Sequence, residues 1–351
     1  MKVNSTTSEL VYNFINLYNT WVIWRSRNVE HTESLLENSD SGIPCFDHWN
    51  WNKIQYSNSN VIILNNITEA YNGGYNFKDL PNDKFYIIFS NGKWDSSICK
   101  LPFNYINHAT YFVLSDYLDY YFNSKQYMFY TEKEYNFDYP KQFNFISTTG
   151  CNREERDTFI KILKSNYKSE NYVLRYNGKD LGKVANYREE KFPKSGHLFA
   201  QTIKGLEKYY ISVSHTLPID LYNQGYYNLL SEGEIREIGS FNPSEKILKA
   251  LLSGMPFVLV GSPKFLENLR NMGFKTYNKV WDESYDDILD YEQRMNSIVD
   301  LCNRLIDFDW EKNKNELKEI ADYNRLQFLK MNIFFNRQFL KLQQKLQKLN
   351  I

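Results

Sequence analysis

Several kinds of chemistry lack the residues they need in this chain. Its four cysteines, Cys45, Cys99, Cys151 and Cys302, lie far apart and form no CxxC pair. A disulfide framework or a cysteine zinc site is therefore not expected, and a reducing compartment fits. The five histidines are scattered, with no HxH or HExxH spacing, so the usual zinc-hydrolase pattern is missing. No uninterrupted apolar run reaches the roughly 18 residues a membrane-spanning helix needs. The opening residues, MKVNSTTSELVYNFINLYNTWVIW, are broken by Asn and Tyr and lead to no small-residue cleavage site, unlike a signal peptide. The expectation is a cytoplasmic protein, in the host cytoplasm if viral. Charge of one sign is also lacking: 42 basic and 42 acidic side chains cancel, so no global field marks the chain as a nucleic-acid binder. Internal repeats and low-complexity tracts are absent.

What is present is a soluble-type composition, 42% hydrophobic and 24% charged, over 351 residues. That length suits two domains of roughly 150 residues each. Short apolar runs at 61–66 (VIILNN), 85–90 (FYIIFS) and 109–116 (ATYFVLSD) read as buried strands of an α/β layer. The polar, proline-bearing stretch 130–142 reads as a linker. A second α/β unit follows: strand 143–147, loop 148–152, helix 153–166, then strands at 172–177, 209–214, 227–232 and 256–261. Alternation of this kind predicts a mostly parallel sheet covered by helices. From about 311 onward the pattern is helical, and Phe335, Phe339, Leu342, Leu346 and Leu349 step by four and three along a heptad-like seam. The expected domains are 1–140, 141–310 and a helical segment 311–351.

The most informative stretch is FNPSEKILKALLSGMPFVLVGSP, residues 241–263. Asn242 or Ser244 can cap a helix, with Pro243 near its first position. Ile247, Leu248, Leu251 and Leu252 form an apolar stripe, and Gly254 suits a left-handed C-terminal cap. A buried strand follows and turns at Gly261-Ser262-Pro263. Ligands of open α/β sheets bind at the carboxyl ends of strands, and helix N-termini attract phosphate. Lys246 in the first turn adds a point charge. Glu245 beside it suits ribose or sugar hydroxyls rather than phosphate. Together they fit a ligand with both hydroxyls and a diphosphate, although a Glu-Lys pair in a first turn is commonly just solvated surface.

This stretch, with YYNLLSEGE (226–234) and FISTTGCNREERDTFIKIL (145–163), resembles the donor-binding region of the α-1,3-fucosyltransferase family and related viral and bacterial glycosyltransferases. The match covers about residues 143–300, with Ser244-Glu245-Lys246 where that family has Thr-Glu-Lys. The resemblance implies a GT-B-like architecture of two Rossmann-like domains facing a cleft, an inverting mechanism and no obligatory metal or other cofactor. The co-substrate would be a nucleotide sugar carrying GDP or UDP. The resemblance also implies that Glu232, at a strand end, lies close to the donor.

Other residues follow from that reading. Arg153 and Arg156, at a strand-to-helix junction, are candidates to grip the donor diphosphate, and Lys264 is a further phosphate candidate. An inverting transfer needs a base for the acceptor hydroxyl proton. Asp95, beside Trp94, and Asp116 follow strand ends of the first domain and are the candidates. His215 is read as structural. DESYDD (282–287) carries four carboxylates without DxD spacing among them and reads as a solvated loop, or one hydrogen-bonded to ligand or backbone, rather than as a metal site. The expected acceptor is a glycan, with hydroxymethylated viral DNA as runner-up; a catalytically inactive sugar-nucleotide-binding relative is a third alternative. The basic C-terminal helix (Arg325, Lys330, Arg337, Lys341, Lys345, Lys348) is expected to pack within the chain, to pair with another subunit or to lie on an anionic membrane as a peripheral contact.

Overall fold

A computed structural model describes residues 45–47, 61–65, 80–90, 104–109, 134–149, 153–176, 179–183, 219–233, 235–236, 241–331 and 344. The chain divides into two compact units, the first made of Met1–Asp116, Leu198–Ile211 and Asn332–Ile351 and the second of Tyr117–His197 and Ser212–Met331. Both are α/β or sheet-forming in their described parts.

The first unit carries a four-stranded parallel sheet in the order β1 (Cys45–Asp47), β2 (Val61–Asn65), β3 (Phe85–Ser90) and β4 (Asn104–Ala109). Leu64, Tyr86 and Ile88 are buried in it. The Tyr86 hydroxyl donates to the Pro81 carbonyl at 2.8 Å, which satisfies its polar end inside the layer. Strand β4 is the segment NYINHA, which hydropathy passes over because Asn and His interrupt it. Backbone pairing with β3 forms it instead. Of the run 109–116, only Ala109 lies within the described residues.

The second unit is built on a five-stranded sheet. Its members are β5 (Phe143–Thr149), β6 (Val173–Tyr176), β7 (Lys179–Asp180), β8 (Gly225–Ser231) and β9 (Phe257–Val260), in the order β7-β6-β5-β8-β9. All neighbours are parallel except β6 and β7. Strand β9 is buried at every position and β8 at all but one, as a sheet covered on both faces requires. Strand β5 runs two residues beyond the expected end, through the β-branched Thr148 and Thr149, which pair with Arg175 and Tyr176 of β6.

The helices of this unit are α1 (Glu154–Asn166), α2 (Ile219–Tyr222), α3 (Glu245–Ser253), α4 (Phe265–Asn271), α5 (Tyr291–Arg304) and α6 (Trp310–Leu329). Helix α1 buries Arg156, Phe159 and Leu163, one per turn, and packs against α5. Helix α3 packs against α6. At its end Gly254 takes φ 76°, and a Cβ there would stand 3.1 Å from that of Ala321. Glycine thus serves both the left-handed cap and the close approach of the two helices. Asp290 and Asp309 cap α5 and α6 by accepting from Gln293 N and Lys312 N. The expected strand at 209–214, His215 and the seam residues Phe335, Phe339, Leu342, Leu346 and Leu349 lie outside the described residues.

Candidate functional site

From β5 the chain moves outward to β6 and then returns to the other side of β5 as β8. The order therefore reverses between β5 and β8. In open α/β sheets the crevice beyond the carboxyl ends of such a strand pair is where ligands bind. Arg153 follows β5, Glu232 and Gly233 follow β8, and the Gly261-Ser262-Pro263 turn follows β9. The fold thus gathers at one edge the segments that the sequence singled out.

Two arginines reach across this reversal point. Arg153 is the N-cap residue of α1, and its backbone N–H donates to the Tyr176 hydroxyl at 3.1 Å. The same hydroxyl donates to Asp157 Oδ1 at 2.8 Å. Arg153 is exposed, and its Nη1 donates to the Gly233 carbonyl at 2.9 Å. Arg156 is instead buried. Its Nε and Nη2 both donate to the Glu232 carbonyl, at 3.1 and 2.8 Å. The two arginines expected to act alike therefore differ. Arg153 presents a cation to solvent, whereas Arg156 ties α1 to the end of β8. The first turn of α1 holds Glu154, Glu155 and Asp157, which complement the helix dipole and work against a phosphate there.

Across the sheet end, the carboxylate of Glu232 is 1% exposed. It accepts from the Ser244 backbone N–H at 3.3 Å and from the Ser244 hydroxyl. Of the two cap candidates the structure selects Ser244, whose Oγ accepts from Lys246 N at 3.3 Å. The Lys246 ammonium donates to the same Oγ at 3.2 Å and to Glu245 Oε1 at 2.7 Å. Ser244, Glu245 and Lys246 are half-buried, so the pair is not a solvated surface pair.

The two carboxylates are pushed apart. Burial raises the pKa of Glu232, partly offset by Lys246 and the Ser244 hydroxyl. Burial also acts on Glu245, but Lys246 and Lys249 outweigh it and bring Glu245 down to about 2. Glu245 is thus held as an ionised acceptor. Lys249, whose own pKa burial lowers to about 8 against the pull of Glu245, was missed by sequence reasoning. Its signal was present: Glu245 and Lys249 stand at i, i+4 in the favourable order.

Two buried polar atoms close to Glu232 and Ser244 in the chain have no hydrogen-bond partner among the described residues. They are Ser231 Oγ and Asn242 Oδ1. Such atoms are rare in folded proteins, and each costs about 1–3 kcal/mol.

The remaining candidates separate clearly. Lys264, at φ 66°, is paired with Asp287 at 2.5 Å and Glu267 at 3.2 Å. In the 282–287 segment Asp282 and Asp287 are exposed, whereas Glu283 and Asp286 are buried and take the alternative of hydrogen bonds to the backbone. Glu283 is buried and accepts from Thr276 Oγ1 at 2.6 Å, Tyr277 N at 2.8 Å and Arg270 Nη1 at 3.2 Å. Asp286 is buried and accepts from Leu266 N and Glu267 N, both at 2.9 Å, closing the start of α4. A DxD spacing that the sequence reading passed over, Asp307-Phe308-Asp309, has its second carboxylate engaged as the α6 cap. Among the described residues no three His, Cys, Asp or Glu side chains gather as a metal site. Also among these residues, no helix is long and apolar enough to cross a membrane. Asp95 and Asp116 lie outside the described residues.

Comparison with protein-family models, with curated proteins and with solved structures finds no match for this chain.

Proposed function

We propose that the protein is a nucleotide-sugar-dependent glycosyltransferase of GT-B type, inverting and fucosyltransferase-like, with its donor held by the second unit and a glycan as acceptor. The observation that supports this reading most is the cluster at the start of α3. A hydroxyl-capped helix N-terminus, a partly buried ammonium and a carboxylate held ionised stand together beside the strand-order reversal. Lys246 and the α3 N-terminus would take the diphosphate of a GDP- or UDP-sugar. Glu245 would accept from ribose or sugar hydroxyls. Arg153 supplies a further exposed cation.

In the reaction, an acceptor hydroxyl attacks the anomeric carbon as the bond from that carbon to the diphosphate oxygen breaks. The configuration inverts, the hydroxyl proton passes to a base, and the nucleoside diphosphate leaves with the bonding electron pair. Asp95 and Asp116 are the proposed bases. The developing charge on the diphosphate is met by Lys246, Arg153 and the α3 N-terminus, so no metal ion is called for.

A thermal-shift screen of the full chain against GDP, UDP, CMP and dTDP and their sugars tests the reading. A ligand at 100 times its dissociation constant stabilises the native state by about 2.7 kcal/mol. A clear rise with a GDP or UDP compound is expected. No rise with any of them would overturn the proposal.

A further inference from the structure

Glu232 and Arg156, both candidates for donor contact, are buried and engaged within the protein. Glu232 is 1% exposed and Arg156 4% exposed. Their contacts form one line through the protein. Two nitrogens of the Arg156 guanidinium hold the Glu232 carbonyl. The Glu232 backbone N–H donates to the Val260 carbonyl of β9 at 3.0 Å. Its carboxylate takes both the N–H and the hydroxyl of Ser244. With its proton committed to Glu232, the Ser244 oxygen turns its lone pairs toward Lys246 and accepts from that ammonium at 3.2 Å.

We infer that Glu232, fixed at its backbone by Arg156, is a positioning residue that aims the Lys246 ammonium by setting the direction of the Ser244 hydroxyl. This assignment rests on Lys246 being the anion-binding group of the proposed donor site. A hydroxyl without an acceptor rotates, and a lysine side chain has four rotatable bonds to lose. A buried carboxylate removes the first freedom and, through it, restricts the second. Placing such support behind a binding group is how a site keeps its geometry without exposing the supporting charge.

A purely electrostatic role for Glu232 predicts the opposite signs. Removing a negative charge beside an anion site should tighten anion binding, whereas losing a positioning contact should weaken it. The experiment therefore compares Glu232→Gln, which keeps the shape and loses the charge, with Glu232→Asp, which keeps the charge and shortens the reach. Titration calorimetry with GDP and UDP on the full chain reads affinity. Acetic-anhydride labelling read by mass spectrometry reports Lys246 reactivity without ligand, with the exposed Lys318 as internal reference.

Both variants should bind roughly tenfold more weakly, the scale of a modest misplacement, with Lys246 labelling faster relative to Lys318. Ser244→Ala should lose affinity, and Ser244→Thr, which restores the hydroxyl, should recover most of what Ser244→Ala loses. Tighter binding by Glu232→Gln, or wild-type Lys246 labelling in both Glu232 variants, would overturn the inference. If wild-type protein binds neither nucleotide while Lys246 labelling still responds to Glu232, the positioning relay is upheld and the donor reading fails. The two claims are thereby separable.

Discussion

Helices α3 and α4 each follow a sheet strand and its loop; α3 carries Glu245 and Lys246 in its first turn, whereas α4 has Lys264 as its N-cap residue and Glu267 in its first turn. Their N-termini are nonetheless in opposite states. At α4 the buried Asp286 occupies Leu266 N and Glu267 N, and Lys264 is clamped by Glu267 and Asp287. The ionisable groups there are Lys264 and Arg270 against Glu267, Glu283, Asp286 and Asp287, two bases against four acids, of which burial raises the pKa of Glu283 and Asp286. At α3 a neutral hydroxyl is the cap, and Lys246 and Lys249 stand against Glu232 and Glu245, two against two. A helix start already closed by a carboxylate and surrounded by acid excludes an anion; one closed by serine with two lysines does not. The lesson is that Lys246 and Lys264, both phosphate candidates by sequence, differ in what has already claimed them.

The largest effect should come from breaking the closed end. Asp286→Ala removes two charge-assisted hydrogen bonds and leaves two N–H groups buried or half-buried without partners. A loss of about 2–3 kcal/mol in unfolding free energy is expected, the scale of bonds to a charged acceptor, read from urea denaturation. Nucleotide affinity of the folded protein should be unchanged. An affinity loss as large as the stability loss would mean that the two helix starts are not independent.

Next in size is the pair of lysines. Lys246→Ala should weaken GDP or UDP binding by about 1.5–3 kcal/mol. Lys264→Ala should leave it unchanged, because that ammonium is already answered by Asp287 and Glu267. Calorimetry on both variants decides between them. Equal losses would erase the distinction drawn between α3 and α4.

How much of this was legible beforehand follows from where the information sits. The α3 segment reads well because its determinants are local: a serine cap, an apolar stripe, a glycine at the left-handed position and an all-buried strand. Strand β4 does not, because Asn104, Asn107 and His108 carry no hydropathy signal and pairing with β3 defines it. The switch of strand order that puts Arg153 and Glu232 at the same end of neighbouring strands is a long-range property that no local pattern encodes. The different roles of Arg153 and Arg156 depend on helix phase: residue 156 shares the buried face with Phe159 and Leu163, and residue 153 precedes the first turn. The periodicity was available there, although the functional reading treated both as phosphate ligands. Within 282–287 composition leaves solvation and backbone hydrogen bonding both open, because it cannot show that Thr276, Tyr277 and the start of α4 supply donors to two of the four acids.

The smallest effect is a slope with pH, and it too separates the two ends. Burial raises Glu283 to about 7, with Thr276, Tyr277 N and Arg270 pulling it down and Asp286 pushing it further up. Its reference value is 4.5, so between about 4.5 and 7 the native state holds a proton that the unfolded chain has released. Stability from this group is therefore fully present below 4.5 and declines as pH rises through 7, by at most about 1.4 kcal/mol per pH unit for one proton. Glu245 has the opposite sign. Its depressed value of about 2 gives stability that is present above 4.5 and lost only as pH falls toward 2. Glu283→Gln should flatten the slope of urea midpoints between pH 5 and 8, whereas Glu245→Gln should leave that slope alone. A flattened slope in the Glu245 variant instead would place the titrating carboxylate at α3, and with it would fall the view that α3 keeps an ionised acceptor while α4 buries protonatable acids.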